Sequence, residues 1–216
     1  MKYNTILFDL DGTLLYTLED LTDSLNHTLA LYHKETHPIE NVRRFVGNGL
    51  KKLVERALPL GLDDPLFDDI FKDFVAYYNT HNQIKTRPYD GVIETTEKLS
   101  EIGIQMAIVT NKGQTASNML LKDYFYPHIK TIIGDNGIHK RKPDSEPIYL
   151  AMEALDISDK SSVLYVGDSD VDATTAINSG LDYVLCTYGF RDKSELEQFN
   201  PICYIDHFNQ ILELFK

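Results

Sequence analysis

The sequence predicts an α/β protein. Its core is a Rossmann-like parallel sheet with helices on both faces, interrupted after the first strand by an all-helical insertion. Three observations predict this. From residue 92 onward, apolar runs such as "IQMAIVT", "SVLYVGD" and "DYVLCTYG" alternate with helix-patterned segments. Residues 15 to about 85 carry helical spacing only. The apolar runs also end repeatedly in polar, reactive side chains, the pattern of a site at one edge of a parallel sheet.

The elements follow in order. "TILFD" (5–9) reads as a short buried strand. "LLYTLEDLTDSLNHTLALY" (14–32) sets Leu18, Leu21, Leu25 and Leu29 at helical spacing, so a helix is predicted from residue 14. "IENVRRFVG" (39–47) and "GLKKLVERALPLG" (49–61) predict two shorter amphipathic helices, stopped by Gly47 and Pro59. "PLFDDIFKDFVAYYNTHN" (65–82) predicts a fourth, with Phe67, Ile70, Phe71, Phe74, Val75 and Tyr78 as its apolar stripe. The turn-rich "RPYDG" (87–91) closes the insertion. Helices are then expected at 92–103, 114–124, 145–156 and 170–180, with strands at 104–110, 129–134, 162–168 and 182–189 between them. A last strand (202–205) and helix (207–215) complete the chain. Parallel strands need crossovers, which should be right-handed. The expected division is a core of 1–15 and 88–216 with an insertion of 16–87.

Composition narrows the function. The 216 residues hold 33 acidic and 21 basic side chains, a formal net charge of -12. That balance argues against nucleic acid as a partner, which requires a basic surface. No apolar stretch approaches the ~18 residues of a membrane span. The apolar N-terminal run is cut by Asp9 and Asp11, unlike a signal peptide, so a cytoplasmic location is expected by default. Cys186 and Cys203 form no CxxC or Cys/His cluster and are expected to be buried thiols, not zinc ligands.

In open parallel sheets, ligands bind at the carboxyl ends of the strands. The first strand delivers Asp9 and Asp11 there, and the second Thr110 and Asn111. The third leads into Lys140, Arg141 and Lys142, and the fourth delivers Asp168, with Asp172 one helical turn on. Two carboxylates one residue apart demand a compensating cation or a shared proton. An EF-hand would supply one reason for "DLDG", but it needs Gly at its sixth position and Glu at its twelfth, where this chain has Leu14 and Asp20. Thr110 and Asn111 alone could be a helix cap, and Asp172 a first-turn acid favoured by the helix dipole. Lys140 and Arg141 read as solvated charges.

Taken together, "DLDGT" (9–13), "VTN" (109–111), "KP" (142–143) and "GDSDVD" (167–172) resemble the four signatures of the haloacid dehalogenase-like phosphohydrolase superfamily, over nearly the whole chain. The insertion is similar to that family's helical C1 cap. The resemblance implies Mg²⁺ held by Asp9, Asp168 and the backbone carbonyl of Asp11, with Asp9 as nucleophile and the Asp11 side chain as general acid and base. It implies that Thr110, Asn111 and amides near Lys112 and Gly113, at a helix start, bind the phosphoryl group. Lys142 would neutralise Asp9 and the phosphoryl oxygens, with Asp172 anchoring Lys142 or a metal-bound water. Gly12 permits a sharp exit from the strand.

In the insertion, "RRFVGNGLKK" (43–52) joins the basic Arg43, Arg44, Lys51 and Lys52 to a Gly47-Asn48-Gly49 turn suited to contacting substrate. Cap type and "VGNG" look most like phosphoglycolate phosphatases. The chain departs from them at Tyr16-Thr17, where they commonly carry Asp-Ser. The expected ligand is a small phosphorylated metabolite, bound by a monomer or homodimer. Pyrophosphate or nucleotide hydrolysis, or a β-phosphoglucomutase-like phosphosugar transfer, are the alternatives.

Overall fold

A computed structural model of the chain describes residues 2–215. The chain divides into two compact units. One comprises residues up to Leu15 and from Pro88 onward, and the other is Tyr16–Arg87.

The first unit is built on a six-stranded sheet of β1 (Thr5–Phe8), β4 (Gln105–Gly113), β5 (Thr131–Asp135), β6 (Val163–Gly167), β7 (Asp182–Cys186) and β8 (Cys203–Ile205). Its order is β5-β4-β1-β6-β7-β8, and every pairing is parallel. Two short strands pair separately: β2 (Leu15–Tyr16) joins β3 (Arg87–Pro88) in a two-stranded sheet. The strands are apolar on both sides because both faces are covered. Ile6, Phe8, Ile108, Leu164 and Val166 point into one cluster with Val92 and Leu99 of α5 (Val92–Glu101) and with Phe208 and Ile211. Leu7, Val109, Val163 and Tyr165 point into the other, with Ile148 and Ala151 of α7 (Glu146–Ala154) and Ala173 and Ala176 of α8 (Asp170–Ser179). The alternation follows from the two-residue period of a strand. The first unit also holds the α-helices α6 (Gln114–Leu120) and α9 (Lys193–Leu196).

The second unit holds α1 (Leu18–Leu31), α2 (Ile39–Phe45), α3 (Leu50–Ala57) and α4 (Phe67–His81). Helices α1 and α4 pack together. Leu18, Leu21, Leu25 and Leu29 are buried, as are Phe67, Ile70, Phe74 and Tyr78, whereas Phe71 and Val75 are only half-buried. A charge sits among them: buried Asp20 accepts backbone N–H groups from Ile84, Lys85 and Thr86 at 2.8–3.1 Å. Amides in that number satisfy a carboxylate removed from water.

Four expectations require correction. The first helix begins at Leu18, not residue 14. Leu14 and Leu15 belong to the sheet's core, and both donate backbone N–H groups to the Leu10 carbonyl. Their apolar spacing merged two different cores into one pattern. Strand β4 runs past the expected residue 110 to Gly113, whose register partner is Asp135; the helix after it starts at Gln114 as expected and passes into a π-helical turn over Leu121–Phe125. The C-terminal segment Phe208–Phe215 is a 3₁₀ helix. Cys186 is buried, but Cys203, on edge strand β8, is half-buried. Among the described residues no helix is long and apolar enough to cross a membrane.

Candidate active site

The central strands β1, β4 and β6 bring the site together from below. The ladder extends past β1 to Asp9, whose N–H donates to the Val166 carbonyl at 2.9 Å. The chain then turns back at Gly12, with φ +94°, a left-handed conformation that glycine adopts without strain. Space also demands glycine there: a Cβ would lie 2.4 Å from Asp168 Oδ2. At the end of β6, Asp168 is held on both oxygens. Thr13 Oγ1 donates to Oδ1 at 3.0 Å, and the Phe190 N–H donates to Oδ2 at 2.7 Å.

Helix α8 starts immediately after. Ser169 and Asp172 form a reciprocal capping box. Asp172 Oδ2 accepts from the Asp168 and Ser169 amides and the Ser169 hydroxyl, at 3.2, 3.1 and 2.6 Å. Its Oδ1 accepts from Lys142 Nζ at 2.8 Å and from the Tyr165 hydroxyl at 2.9 Å. Asp172 is therefore saturated by protein donors. Lys142, itself buried, reaches Asp9 Oδ1 at 2.6 Å. The segment that carries it is tethered by Asn111, whose Nδ2 donates to the Lys142 carbonyl at 3.0 Å. Lys140 and Arg141 stay at the surface, ion-paired to Asp144 and Asp135.

Asp11 lies apart from the Asp9 carboxylate's partners. Its oxygens accept from Lys112 Nζ at 3.1 and 3.4 Å, and the Lys112 side chain is almost wholly buried. Thr110 is buried within β4, and its Oγ1 accepts from the Lys112 N–H at 3.2 Å. Lys112 and Gly113 close strand β4, and Gly113 is at the same time the N-cap of α6.

Asp9, Asp168 and Asp172 each offer an oxygen within 4.8 Å of the others. Ionised, these three carboxylates and the single Lys142 ammonium carry a net charge of -2 (three negative, one positive). Burial and the Asp172 charge therefore push the Asp9 carboxyl well above the usual carboxylate range, despite Lys142. The same two causes push Asp168 up to about 7. Burial opposes ionisation of Asp172 as well, but Lys142 and three hydrogen bonds hold it below its ordinary value. Burial disfavours the Lys142 charge, yet Asp172 and Asp9 raise its pKa well above normal. A divalent cation fits beside Asp9 and Asp168: it matches the excess charge, and carboxylate oxygens are what a hard cation takes.

The family model of the haloacid dehalogenase-like hydrolases matches residues 6–186. The chain belongs to that family. Among curated relatives, it is 36% identical to the phosphoglycolate phosphatase of Mesorhizobium japonicum, covering 98% of this chain and 94% of that protein. It is 33% identical to the phosphoglycolate phosphatase of Colwellia psychrerythraea, over 98% and 96% of the two chains. Among solved structures, a Lactobacillus delbrueckii subsp. bulgaricus protein provisionally assigned as a phosphoglycolate phosphatase superimposes with a TM-score of 0.93 at 27% identity. That match covers 99% of this chain and 98% of the other. The protein is accordingly an enzyme, a hydrolase with this family's α/β core.

The residues read from the sequence fall in both units. Asp9, Asp168, Asp172 and Lys142 form one bonded cluster of the first unit, with Thr110, Asn111 and Asp11 at the ends of its neighbouring strands. Gly47, Asn48 and Gly49 lie in the other unit, where Arg56 binds the Phe45 carbonyl and Asn48 Oδ1 at 2.7 and 2.8 Å and shapes their turn. Sequence reasoning missed four contributors: Thr13, Lys112 as a cation, Tyr165, and the Phe190 amide. Thr13 and Lys112 flank recognised motif residues, and Tyr165 is the one polar group in "VLYVG". Nothing in "TYGF" signals that it folds against Asp168.

Proposed function

We propose that the chain hydrolyses a small phosphate monoester, with 2-phosphoglycolate as the leading substrate, through a phosphoenzyme on Asp9. The observation that carries this reading is the buried Asp9 carboxylate bonded to Lys142 at 2.6 Å beside Asp168, with a second carboxylate two residues along at Asp11. The names of the curated relatives support the substrate. A Mg²⁺ ion would be held by Asp9, Asp168 and the backbone carbonyl of Asp11. When bound it supplies positive charge against which a carboxylate can approach a phosphate.

The chain's own residues do the rest. Lys142 offsets the charge on Asp9 and contacts a phosphoryl oxygen as charge shifts onto it. Thr110 binds a second phosphoryl oxygen. An Asp9 oxygen attacks phosphorus, the ester P–O bond breaks, and Asp11 gives its proton to the departing alkoxide. Asp11 then takes a proton from a water that attacks the aspartyl-phosphate. The P–O(Asp9) bond breaks, phosphate leaves and the Asp9 carboxylate is restored. Asp172 fixes Lys142, Thr13 and the Phe190 amide fix Asp168, and Asn111 fixes the Lys142 segment. Gly47, Asn48 and Gly49, with the neighbouring Arg43, Arg44, Lys51 and Lys52, are the proposed specificity surface. Tyr16-Thr17 is a neutral variation in this reading.

The test is kcat/KM, with and without Mg²⁺, for 2-phosphoglycolate against sugar phosphates, nucleotides and pyrophosphate. Selective Mg²⁺-dependent turnover of phosphoglycolate, abolished in Asp9→Asn, is the expected result. Even turnover across the panel would remove the substrate. Full activity in Asp9→Asn would remove the mechanism.

A further inference from the structure

Lys142 has a donor problem. An ammonium offers three N–H donors. Here Nζ lies 2.6 Å from Asp9 Oδ1, 2.8 Å from Asp172 Oδ1 and 3.0 Å from the Tyr165 hydroxyl. Three donors meet three acceptors, and the side chain is only 3% exposed. A phosphoryl oxygen is a fourth acceptor, so one of the three must be given up to receive it. Two of the bonds run to carboxylates and are charge-assisted on both sides, whereas the bond to Tyr165 is the longest and its acceptor is neutral. It is the one to yield.

Tyr165 can release the lysine without being orphaned. Its hydroxyl donates to Asp172 Oδ1 at 2.9 Å, and its ring is fully buried within β6, packed in the cluster that holds Ile148, Ala151 and Ala173. It therefore stays in place whether or not Lys142 is bonded to it. We propose that the Tyr165 hydroxyl is a placeholder for a phosphoryl oxygen: it occupies the third N–H of Lys142 in the free enzyme and cedes that donor when the anion arrives. The inference rests on the phosphatase reading above. Tyr165 acts through Lys142 and is a positioning residue.

The sign of the effect is distinctive. A bond present in the free enzyme and lost in the complex opposes binding, so its removal should tighten the site toward phosphate. The experiment compares Tyr165→Phe with the native enzyme, both with Mg²⁺ and well below either Tm. It measures the inhibition constant of inorganic phosphate together with KM and kcat. The expected result is an inhibition constant lower by about fivefold, the worth of one ordinary hydrogen bond, with KM falling in parallel. A merely structural tyrosine would lower Tm and leave phosphate binding unchanged or weaker, and either of those constants overturns the proposal. If Tyr165→Phe does not fold, 3-fluorotyrosine placed at 165 supplies the readout. Its fluorine resonance should move when Mg²⁺ and phosphate saturate the site, and an unmoved resonance overturns the proposal. A native enzyme lacking Mg²⁺-dependent phosphatase activity would instead overturn the parent reading.

Discussion

Gly189→Ala should damage the active site from outside every recognised motif. Gly189 follows β7, in a loop tied at both ends. Thr187 N–H donates to the Ile205 carbonyl at 2.9 Å, the Tyr188 hydroxyl donates to the Thr13 carbonyl at 3.0 Å, and Arg191 Nε donates to Asp170 at 3.1 Å. A Cβ on Gly189 would lie 2.3 Å from Asp168 Cβ and 2.5 Å from its Oδ2. Ordinary contact begins at 3.4 Å, so Asp168 or the loop must move by about 1 Å (3.4 less 2.3). The backbone gives no other reason for glycine, because Gly189 is not among the glycines with positive φ. Overpacking of this kind costs about 1–3 kcal/mol. At about 2–4 °C per kcal/mol for a chain of this size, the Tm should fall by several degrees. The larger effect should be on function. Magnesium demands near-ideal ligand placement, and a 1 Å displacement at a reacting centre costs about 100-fold. The assay is kcat/KM across a Mg²⁺ titration, with the metal-induced rise in Tm as a readout independent of turnover. Lower kcat/KM with a higher half-saturating Mg²⁺ concentration is expected. Native Mg²⁺ response and native kcat/KM in Gly189→Ala would refute the claim that this loop sets Asp168.

Two further outcomes follow from the charges. Lys142→Met should abolish turnover and lower stability by about 3–5 kcal/mol in urea unfolding without metal, because Asp9 and Asp172 are left buried and uncompensated. Native stability in that variant would mean that the cluster is screened by something other than Lys142. Asp168 predicts a proton-linked cation site. Its carboxyl is raised from 3.8 to about 7 in the folded protein, so the stability it contributes is fully present below about pH 4 and is lost as pH rises through 7. A cation binds the ionised form and reverses that loss. The Mg²⁺-induced rise in Tm should therefore grow between pH 5 and about 7.5, and Asp168→Asn should reduce that growth, leaving the share that comes from Asp9. A pH-independent metal effect in the native protein would contradict this linkage.

The order of the core strands, and the polar groups that follow their apolar runs, are legible in the local pattern of the chain. Buried parallel strands must be apolar, so Asp9, Thr110 and Asp168 at the ends of such runs stood out against them, and so did the α/β alternation behind the sheet. Helical spacing likewise separated the insertion from the core. The pairing of those polar groups is a property of the folded chain. Lys142 meets Asp9 across 133 residues of chain, and Asp168 meets the Phe190 amide across 22. No local pattern encodes such meetings, because they depend on strand order and register. Tyr165 shows the limit clearly. In the run it is one more large residue facing a core, and its hydroxyl matters only because β6 lies beside β1 while Lys142 folds over its end. The glycines at 12 and 189 are alike in this: a sequence records that a side chain is missing, and only packing reveals that the Asp168 carboxylate fills the space.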